Sequence, residues 1–325
     1  MSGARRGAPA VQHGSARLRK LRPAHKLRPA HVRPANVQPA MALLALALVL
    51  GGCALGYRAN PTLRARAYAQ RNGMTALDLQ GTRFQHQAFT KPSAPNLAAA
   101  KAGAAADAAM LYVFIEGDGS PWVEAGTRVA KDPTPHRPLA LELAASTPHA
   151  VLYLGRPCYF ELRLEALCTP DLWTSGRYSA EVVDSLVAAV RSYAAANGDP
   201  PLILIGYSGG GTLAVLMAAQ LAATRAVVTI AANLDVTAWA RWHRYLPLSA
   251  SRNPAAEPPL PDSIRQWHLV GGKDDNVPEA LNRRYFESLR PDQVWRYPDF
   301  DHACCWAEHW TSILARIEAT ADSGR

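Results

Sequence analysis

Three groups of residues in this chain have the types and spacing needed for acyl-transfer chemistry. A serine lies among glycines at Gly206–Gly210, two aspartates follow one another at Asp274 and Asp275, and a histidine stands at His302. A serine hydroxyl becomes a nucleophile when a histidine accepts its proton and a carboxylate holds that histidine in the required tautomer. Each group follows a short apolar run that is typical of a buried strand. Because the carboxyl ends of parallel strands meet at one edge of a sheet, the three groups can converge there.

The serine group predicts a sharp turn between a strand and a helix. Residues 202–205 (LILI) read as a buried strand, and the Ala- and Leu-rich run 211–223 has helical character. A Gly-x-Ser-x-Gly turn in that context places Ser208 at a positive φ and exposes its hydroxyl at the end of the sheet. The amide of Gly209 then faces the same space and is a candidate donor to an oxyanion.

The aspartate group and the histidine predict the remaining members of a catalytic triad. Asp274 falls in a strand-end turn of the form G-x-x-D-x-x-V-P; Asp275 is its competitor, and Asp235 is a more distant alternative. Of the ten histidines, His302 alone follows the last predicted strand and precedes a closing helix at 306–319. We therefore expect His302 to act as the base and Asp274 as the acid that orients it.

A second glycine-rich turn predicts the other oxyanion donor. The apolar strand 111–115 leads into Glu116-Gly117-Asp118-Gly119. We assign the donor to the Asp118 amide, with Gly119 as the alternative. Neither a C-x-x-C motif nor a His/Cys spacing indicates zinc, so no metal is expected.

The remaining pattern predicts the elements that position these groups. Further strands are expected at 84–90, 149–155, 226–232, 266–270 and 293–297, and helices at 138–146, 179–197 and 279–289. The irregular segment 156–178 is expected to lie over the site. The stretch 233–263 is expected to shape an apolar substrate pocket with Trp239, Trp242, Tyr245 and Leu246, a plain surface excursion being the alternative.

The order of Ser208, Asp274 and His302, each in a strand-ending turn, resembles the α/β-hydrolase family over Leu111 to Ala319. Serine hydrolases of this kind often have His-Gly where this chain has Glu116-Gly117. The resemblance implies an α/β fold, with an open, mostly parallel sheet and helices on both faces. It also implies cofactor-free hydrolysis of a carboxylic ester or related acyl bond in a small-molecule or lipid substrate. An acyltransferase, thioesterase or peptidase with the same triad, or a non-catalytic envelope protein that uses the fold as a binding scaffold, remain alternatives.

The first 52 residues predict export and membrane attachment. Residues 1–40 hold nine Lys and Arg and no acid, and because the whole chain has 35 basic and 26 acidic residues, the remainder has 26 of each and no net charge. The body therefore gives no charge argument for a nucleic-acid partner. Residues 1–40 read as a disordered Pro-rich tail, with translation starting at Met1 or Met41, and 41–52 read as a signal segment. It ends at Cys53 in a pattern that resembles a lipobox, so we expect a lipoprotein anchored in the cell envelope, periplasm-facing or at the cell surface.

Export would place the other cysteines in an oxidising compartment. We favour a Cys158–Cys168 disulfide, while Cys304 and Cys305 could bridge each other, stay reduced or pair elsewhere. The chain thus divides into the tail, the signal segment, a linker and early strand region at 53–109, and a catalytic domain at 110–325.

Overall fold

The computed structural model describes residues 60–93, 110–161 and 166–322 of the chain. All of these belong to one compact unit, Gly52–Arg325, whereas the other unit, Met1–Gly51, lies outside the described residues. Cys53 and the predicted tail and signal segment also lie outside them. Among the helices described, none is long and apolar enough to cross a membrane.

Within the described residues, eight strands form one open sheet in the order β1-β2-β6-β3-β7-β8-β9-β10. The strands are β1 (Thr75–Gln80), β2 (Gln85–Lys91), β3 (Leu111–Ile115), β6 (Ala150–Leu154), β7 (Leu202–Tyr207), β8 (Thr224–Ile230), β9 (Arg265–Gly271) and β10 (Val294–Tyr297). A two-stranded hairpin, β4 (Trp122–Val123) and β5 (Arg128–Val129), stands apart from it. From β6 to β10 all neighbours are parallel, while β2 is antiparallel to both β1 and β6. The expected mostly parallel sheet is confirmed.

The chain order of the strands explains why the site forms at one edge of the sheet. Strands β3 and β7 are direct neighbours in the middle, with Ile115 opposite Gly206, so the turns that follow them meet. Both are buried almost throughout, which is why the sequence shows continuous apolar runs there rather than alternation.

Helices cover both faces of the sheet because the crossover direction reverses. They are α1 (Pro61–Arg71), α2 (Leu139–Ser146), α3 (Ala180–Ala196), α4 (Gly209–Ala218), α5 (Val236–Trp242), α6 (Arg283–Phe286) and α7 (Trp306–Asp322). The β3–α2–β6 crossover runs toward β1, whereas β6–α3–β7 and β7–α4–β8 run toward β10. Right-handed crossovers in opposite directions put α2 on one face and α3 and α4 on the other. In agreement, α2 packs against α7 and α3 packs against α4.

The structure departs from the sequence expectations at both ends of the sheet. In the expected linker and early strand region, the strand expected at 84–90 is confirmed as β2, whereas α1 and β1 were not expected; β1 and β2 both join the main sheet. The expected helix at 279–289 is a 3-10 turn, Glu279–Asn282, followed by the single helical turn α6. Asn282 is buried and its carboxamide binds Leu234 N–H and the Ala232 carbonyl, which ties this segment to the loop after β8.

Candidate active site

The turn at Ser208 links β7 directly to α4. Ser208 has φ 51° and ψ −125°, a conformation that the amide of Ser208 supports by donating to the Ile230 carbonyl at 2.8 Å. A Cβ at Gly206 would overlap the carbonyl oxygen of Gly210, so glycine is required where the strand and helix approach each other. The positive φ at a non-glycine residue is the strained arrangement that the sequence predicts for a nucleophile.

Ser208, His302 and Asp274 form a continuous chain of hydrogen bonds. The Ser208 Oγ lies 3.1 Å from His302 Nε2, and His302 Nδ1 lies 2.9 Å from Asp274 Oδ2. With the Nδ1 proton donated to the carboxylate, Nε2 is left to accept the serine proton. The Asp274 side chain is 1% exposed and that of His302 is 19% exposed, so the carboxylate is shielded while the imidazole reaches the surface.

Asp274, and not Asp275, lies beside His302. The other carboxylate oxygen of Asp274 accepts from the amides of Asn276 at 3.0 Å and Val277 at 2.8 Å, which fixes its orientation. Asp275 is exposed, and Asp235 caps α5 by accepting from the Ala238 amide. The turn after β9 therefore binds Asp274 through its own backbone.

Asn276 is a site residue that the sequence reasoning missed. Its side-chain amide lies 2.9 Å from His302 Nε2, the same nitrogen that faces Ser208. Neutral Nε2 has one lone pair, so the carboxamide and the serine hydroxyl compete for it, and protonation of the ring would favour the carboxamide oxygen instead. The only available signal was its position two residues after Asp274.

The Glu116–Gly119 turn packs against the serine turn. A Cβ on Gly117 would lie 3.3 Å from Ser208 Cβ, and one on Gly209 would overlap the Asp118 carboxylate. Within the described residues, the amides of Asp118 and Gly209 donate to no other protein group. The two predicted oxyanion donors are thus on adjoining turns, and their role in binding an oxyanion stays a prediction.

The Asp118 side chain, which is 17% exposed, is held by two buried arginines in an ion-pair cluster that the sequence did not reveal. Its two carboxylate oxygens accept from Arg156 at 2.5 Å and from Arg177 at 2.8 Å, and Tyr178 donates at 2.7 Å. Tyr159 donates to the Asp118 carbonyl oxygen at 2.8 Å. Burial alone would raise the pKa of Asp118, but Arg177, Arg156 and Tyr178 outweigh it and hold the pKa well below its usual range. The segment 156–178, which was expected to lie over the site, thus anchors the Glu116–Gly119 turn.

Glu116, at the start of the same turn, has a raised pKa, in contrast to the lowered pKa of Asp118. Burial raises the pKa of its carboxyl to about 7, although the amides of Gly117, Ala140 and Leu141 act in the opposite direction. The Gly117 amide donates to Glu116 Oε1 at 3.0 Å, so this side chain shapes the turn from within. The amides of Ala140 and Leu141 belong to the first turn of α2, whose positive end favours a carboxylate.

Two other buried histidines serve the fold. His86 binds Ser185 Oγ at 2.8 Å, and His268 binds Thr229 Oγ1 at 2.8 Å. Burial lowers the pKa of His86 to about 4 and that of His268 to about 3, so both rings are neutral near pH 7. They satisfy polar groups in the core and do not contact the triad.

Both cysteine pairs form disulfides. Cys158 and Cys168 are joined with their Cα atoms 5.6 Å apart, which closes the loop next to Arg156. Cys304 and Cys305 are joined to each other, just after His302. The ligand atoms of Cys304, Cys305 and Glu308 lie within 4.8 Å of one another, but sulfurs bonded to each other are not free thiolates for a metal.

The expected apolar pocket in 233–263 is only partly formed, and this corrects the sequence interpretation. Trp239 is buried and donates to the Asn276 carbonyl oxygen at 3.1 Å. By contrast, Trp242, Tyr245 and Leu246 are mostly exposed, with Tyr245 on the wall of a surface groove. The reason is that α5 ends at Trp242, so one face of this short helix is buried and the residues beyond it leave the core.

Comparisons with known proteins find similarity among solved structures alone. No family model matches the chain, and no curated protein matches it. An a/b serine hydrolase without lid from Xanthomonas campestris is 15% identical, with 75% of this chain and 94% of that chain covered at a TM-score of 0.46. A membrane phospholipase A is 15% identical (86% and 99% covered, TM-score 0.49), and an esterase from Pyrococcus furiosus is 14% identical (76% and 91% covered, TM-score 0.48). At these identities, activity has to be argued from the site itself.

The central strands and the turn after β7 decide the architecture. Five parallel pairings, an antiparallel β2 at one side, and a serine at positive φ between β7 and α4 occur together in one described body. A sheet of this kind that presents its serine on a strand-to-helix turn is an α/β-hydrolase fold, and this chain has it.

Proposed function

We propose that this protein is a serine hydrolase that cleaves a carboxylic ester or related acyl bond through an acyl-enzyme intermediate. The observation that supports this most directly is the hydrogen-bonded chain Ser208–His302–Asp274, with contacts of 3.1 Å and 2.9 Å. A surface serine rarely has both a strained backbone and a histidine whose far nitrogen binds a shielded carboxylate. The arrangement matches the chemical need for a nucleophile, a base and an orienting acid.

In this mechanism His302 removes the Ser208 proton as the serine oxygen attacks the acyl carbonyl. Asp274 stabilises the resulting imidazolium, and the amides of Gly209 and Asp118 donate to the oxyanion. His302 then protonates the leaving group, and the acyl-enzyme forms. Water, deprotonated by His302, cleaves the ester to Ser208 and restores the free enzyme.

A fluorophosphonate probe tests the proposal because it phosphonylates an activated serine. The wild-type protein and Ser120→Ala, a serine on the neighbouring turn, should be labelled, and Ser208→Ala should not. Turnover of a soluble aryl ester by Ser208→Ala should fall by about 10³-fold or more. Equal labelling of Ser208→Ala and wild type would contradict the assignment.

The proposal can be refined by identifying the acyl acceptor and the bond that is cleaved. Transfer to an alcohol, or cleavage of a thioester or peptide, would use the same triad. A substrate panel with and without an acceptor alcohol separates these reactions. An absence of both labelling and turnover would favour the non-catalytic scaffold.

We also propose that the protein is exported and anchored through Cys53. The Cys158–Cys168 disulfide supports an oxidising compartment. Cys53→Ser should move the protein from the membrane fraction to the soluble fraction of the envelope, whereas Cys158→Ser should not. If Cys53→Ser stayed in the membrane fraction like the wild type, the proposal of an anchor at Cys53 would be wrong.

A further inference from the structure

An exposed group of apolar and basic side chains lies at the C-terminal end of helix α5 and in the residues just after it; we call it the 241–246 surface, after residues 241–246. Trp242, Tyr245 and Leu246 are 60%, 56% and 88% exposed, the three largest values for large apolar side chains among the described residues. Three such side chains within five residues form a patch rather than isolated exposure. Beside them is a groove of about 400 Å³ lined in part by Arg241, Tyr245 and Leu248.

The same surface carries two exposed arginines that have no ion-pair partner among the described residues. Arg241 and Arg244 are exposed, and no acidic residue occurs between Asp235 and Glu257. In the part of the chain that the structure describes, neither guanidinium makes an ion pair. Asp235 is buried and its carboxylate is used by the α5 cap and by Asn253. The local charge therefore remains available to a partner.

The surface is connected to the catalytic residues through packed side chains. The Tyr245 ring stacks on His243 at 5.2 Å, and His243 Nε2 lies 2.8 Å from the Asn276 carbonyl oxygen. The Asn276 carboxamide in turn lies 2.9 Å from His302 Nε2. A partner held on the 241–246 surface would therefore stand at the same edge of the protein as Ser208.

We propose that the 241–246 surface docks on an anionic phospholipid bilayer and that the acyl substrate reaches Ser208 from that bilayer; the second half rests on the proposed function. Tryptophan and tyrosine favour the headgroup level of a membrane, where an apolar ring and a polar edge are both satisfied. Arginines beside them attract anionic lipid. A second copy of the chain fits less well, because three apolar side chains fall far short of the roughly 800 Å² per partner of a stable interface.

The binding test uses residues Gly52–Arg325 carrying Cys53→Ser, so that neither the basic tail nor a lipid anchor contributes. This range is a compact unit that holds every described core residue. Co-sedimentation is measured with phosphatidylglycerol/phosphatidylcholine vesicles and with phosphatidylcholine vesicles. Trp242→Ser/Leu246→Ser should weaken binding to both by about tenfold or more. Arg241→Gln/Arg244→Asn should weaken binding to the anionic vesicles alone, by about fivefold per arginine; asparagine is chosen because residue 244 has φ 57°.

Matched controls lie elsewhere on the same body. Leu63→Ser removes a leucine that is 41% exposed on α1, and Arg225→Gln removes an exposed arginine at the opposite end of β8 from α5. Both should bind vesicles like the parent. Equal binding of the parent and both double variants would overturn the proposal, as would a parent that does not bind, or light scattering that shows the surface to be a dimer contact.

Activity assays with two esters distinguish a failure of the membrane-docking proposal from a failure of the proposed hydrolase function. Both double variants should hydrolyse a monomeric soluble ester at the parental rate and lose turnover of a vesicle-embedded ester in proportion to lost binding. If the parent hydrolyses neither ester, the hydrolase function fails, while the vesicle assay still decides the docking surface. Equal loss on both esters would show that the surface serves the active site directly and would overturn the membrane role.

Discussion

Glu116→Gln isolates the energetic cost of burying a carboxyl group in the Glu116–Gly119 turn. Burial raises the pKa of Glu116 to about 7 from an ordinary value of 4.5. In the unfolded chain the group loses its proton near pH 4.5, whereas in the folded protein it keeps the proton until about pH 7. Between these values unfolding releases a proton, so a rise in pH favours unfolding.

The difference corresponds to about 3 kcal/mol, at about 1.4 kcal/mol for each pH unit. This destabilisation of the folded wild-type protein is absent below pH 4.5, grows between pH 4.5 and 7, and reaches its full size above pH 7. Glutamine keeps an oxygen for the Gly117 amide and does not titrate in this range. The free energy of unfolding of Glu116→Gln minus that of wild type should therefore increase by about 3 kcal/mol from pH 4 to pH 8.

Urea denaturation at pH 4, 5, 6, 7 and 8 measures this difference, and other titrating groups cancel because both proteins contain them. Glu287→Gln, at an exposed position, is the matched control and should differ from wild type by a constant amount. A Glu116→Gln difference that is constant or decreases with pH would refute the buried-carboxyl reasoning. In that case water would have to reach the carboxylate in the folded protein.

Three further changes probe the triad acid, the ion-pair cluster and the disulfide. Asp274→Asn should lower kcat by about 10⁴-fold, while Asp275→Asn stays near wild type; the reverse result would reassign the acid. Arg156→Met leaves the Asp118 carboxylate with one cation fewer and should lower the free energy of unfolding by about 3–5 kcal/mol. Urea denaturation measures this, and an unchanged free energy of unfolding would show that the two residues do not form a buried ion pair. Replacing Cys158 and Cys168 together by Ser should cost about 3 kcal/mol, because a loop of about ten residues is released; a wild-type melting curve that dithiothreitol does not alter would contradict this.

The sequence predicted the central strands and the convergence of Ser208, Asp274 and His302 because both have local causes. Strands β3 and β7 are buried on both faces, so their side chains must be apolar almost without interruption. Ser208 directly follows β7, and Asp274 and His302 lie in the turns after β9 and β10, three and five residues beyond the strand ends, so a correct strand assignment also places the candidate site residue. The geometry between them then follows from the parallel order of the sheet.

The elements that were missed have weak local signals. Helix α1 buries Thr62, Ala65 and Ala69, which are too small to produce an apolar stripe in the sequence. Strand β1 lies at the sheet edge and is mostly exposed, so little apolar character is required of it. Both elements are determined by packing against β2 and the sheet, which no short window of sequence contains.

At the 241–246 surface, the sequence predicted a buried environment that the structure does not have. An apolar run in a loop fits a pocket wall as well as an exposed patch, and the sequence pattern is identical for both. The end of α5 at Trp242 decides between them, because the chain then leaves the core. Exposure is a tertiary property, so the pocket assigned to Trp242, Tyr245 and Leu246 could be corrected only with the fold in hand.

Glu116 and Asp118 lie two residues apart in one turn, yet their pKa values are displaced in opposite directions. Burial raises the pKa of Glu116 to about 7 although the nearby backbone amides act in the opposite direction, whereas two arginines keep Asp118 ionised. Arg156 and Arg177 lie 38 and 59 residues along the chain, so the sequence near the turn cannot reveal them. The backbone that should present the second oxyanion donor is therefore held by distant side chains. We therefore expect variants of Arg156 or Arg177 to lose activity as well as stability, because these side chains hold the turn that carries the Asp118 amide.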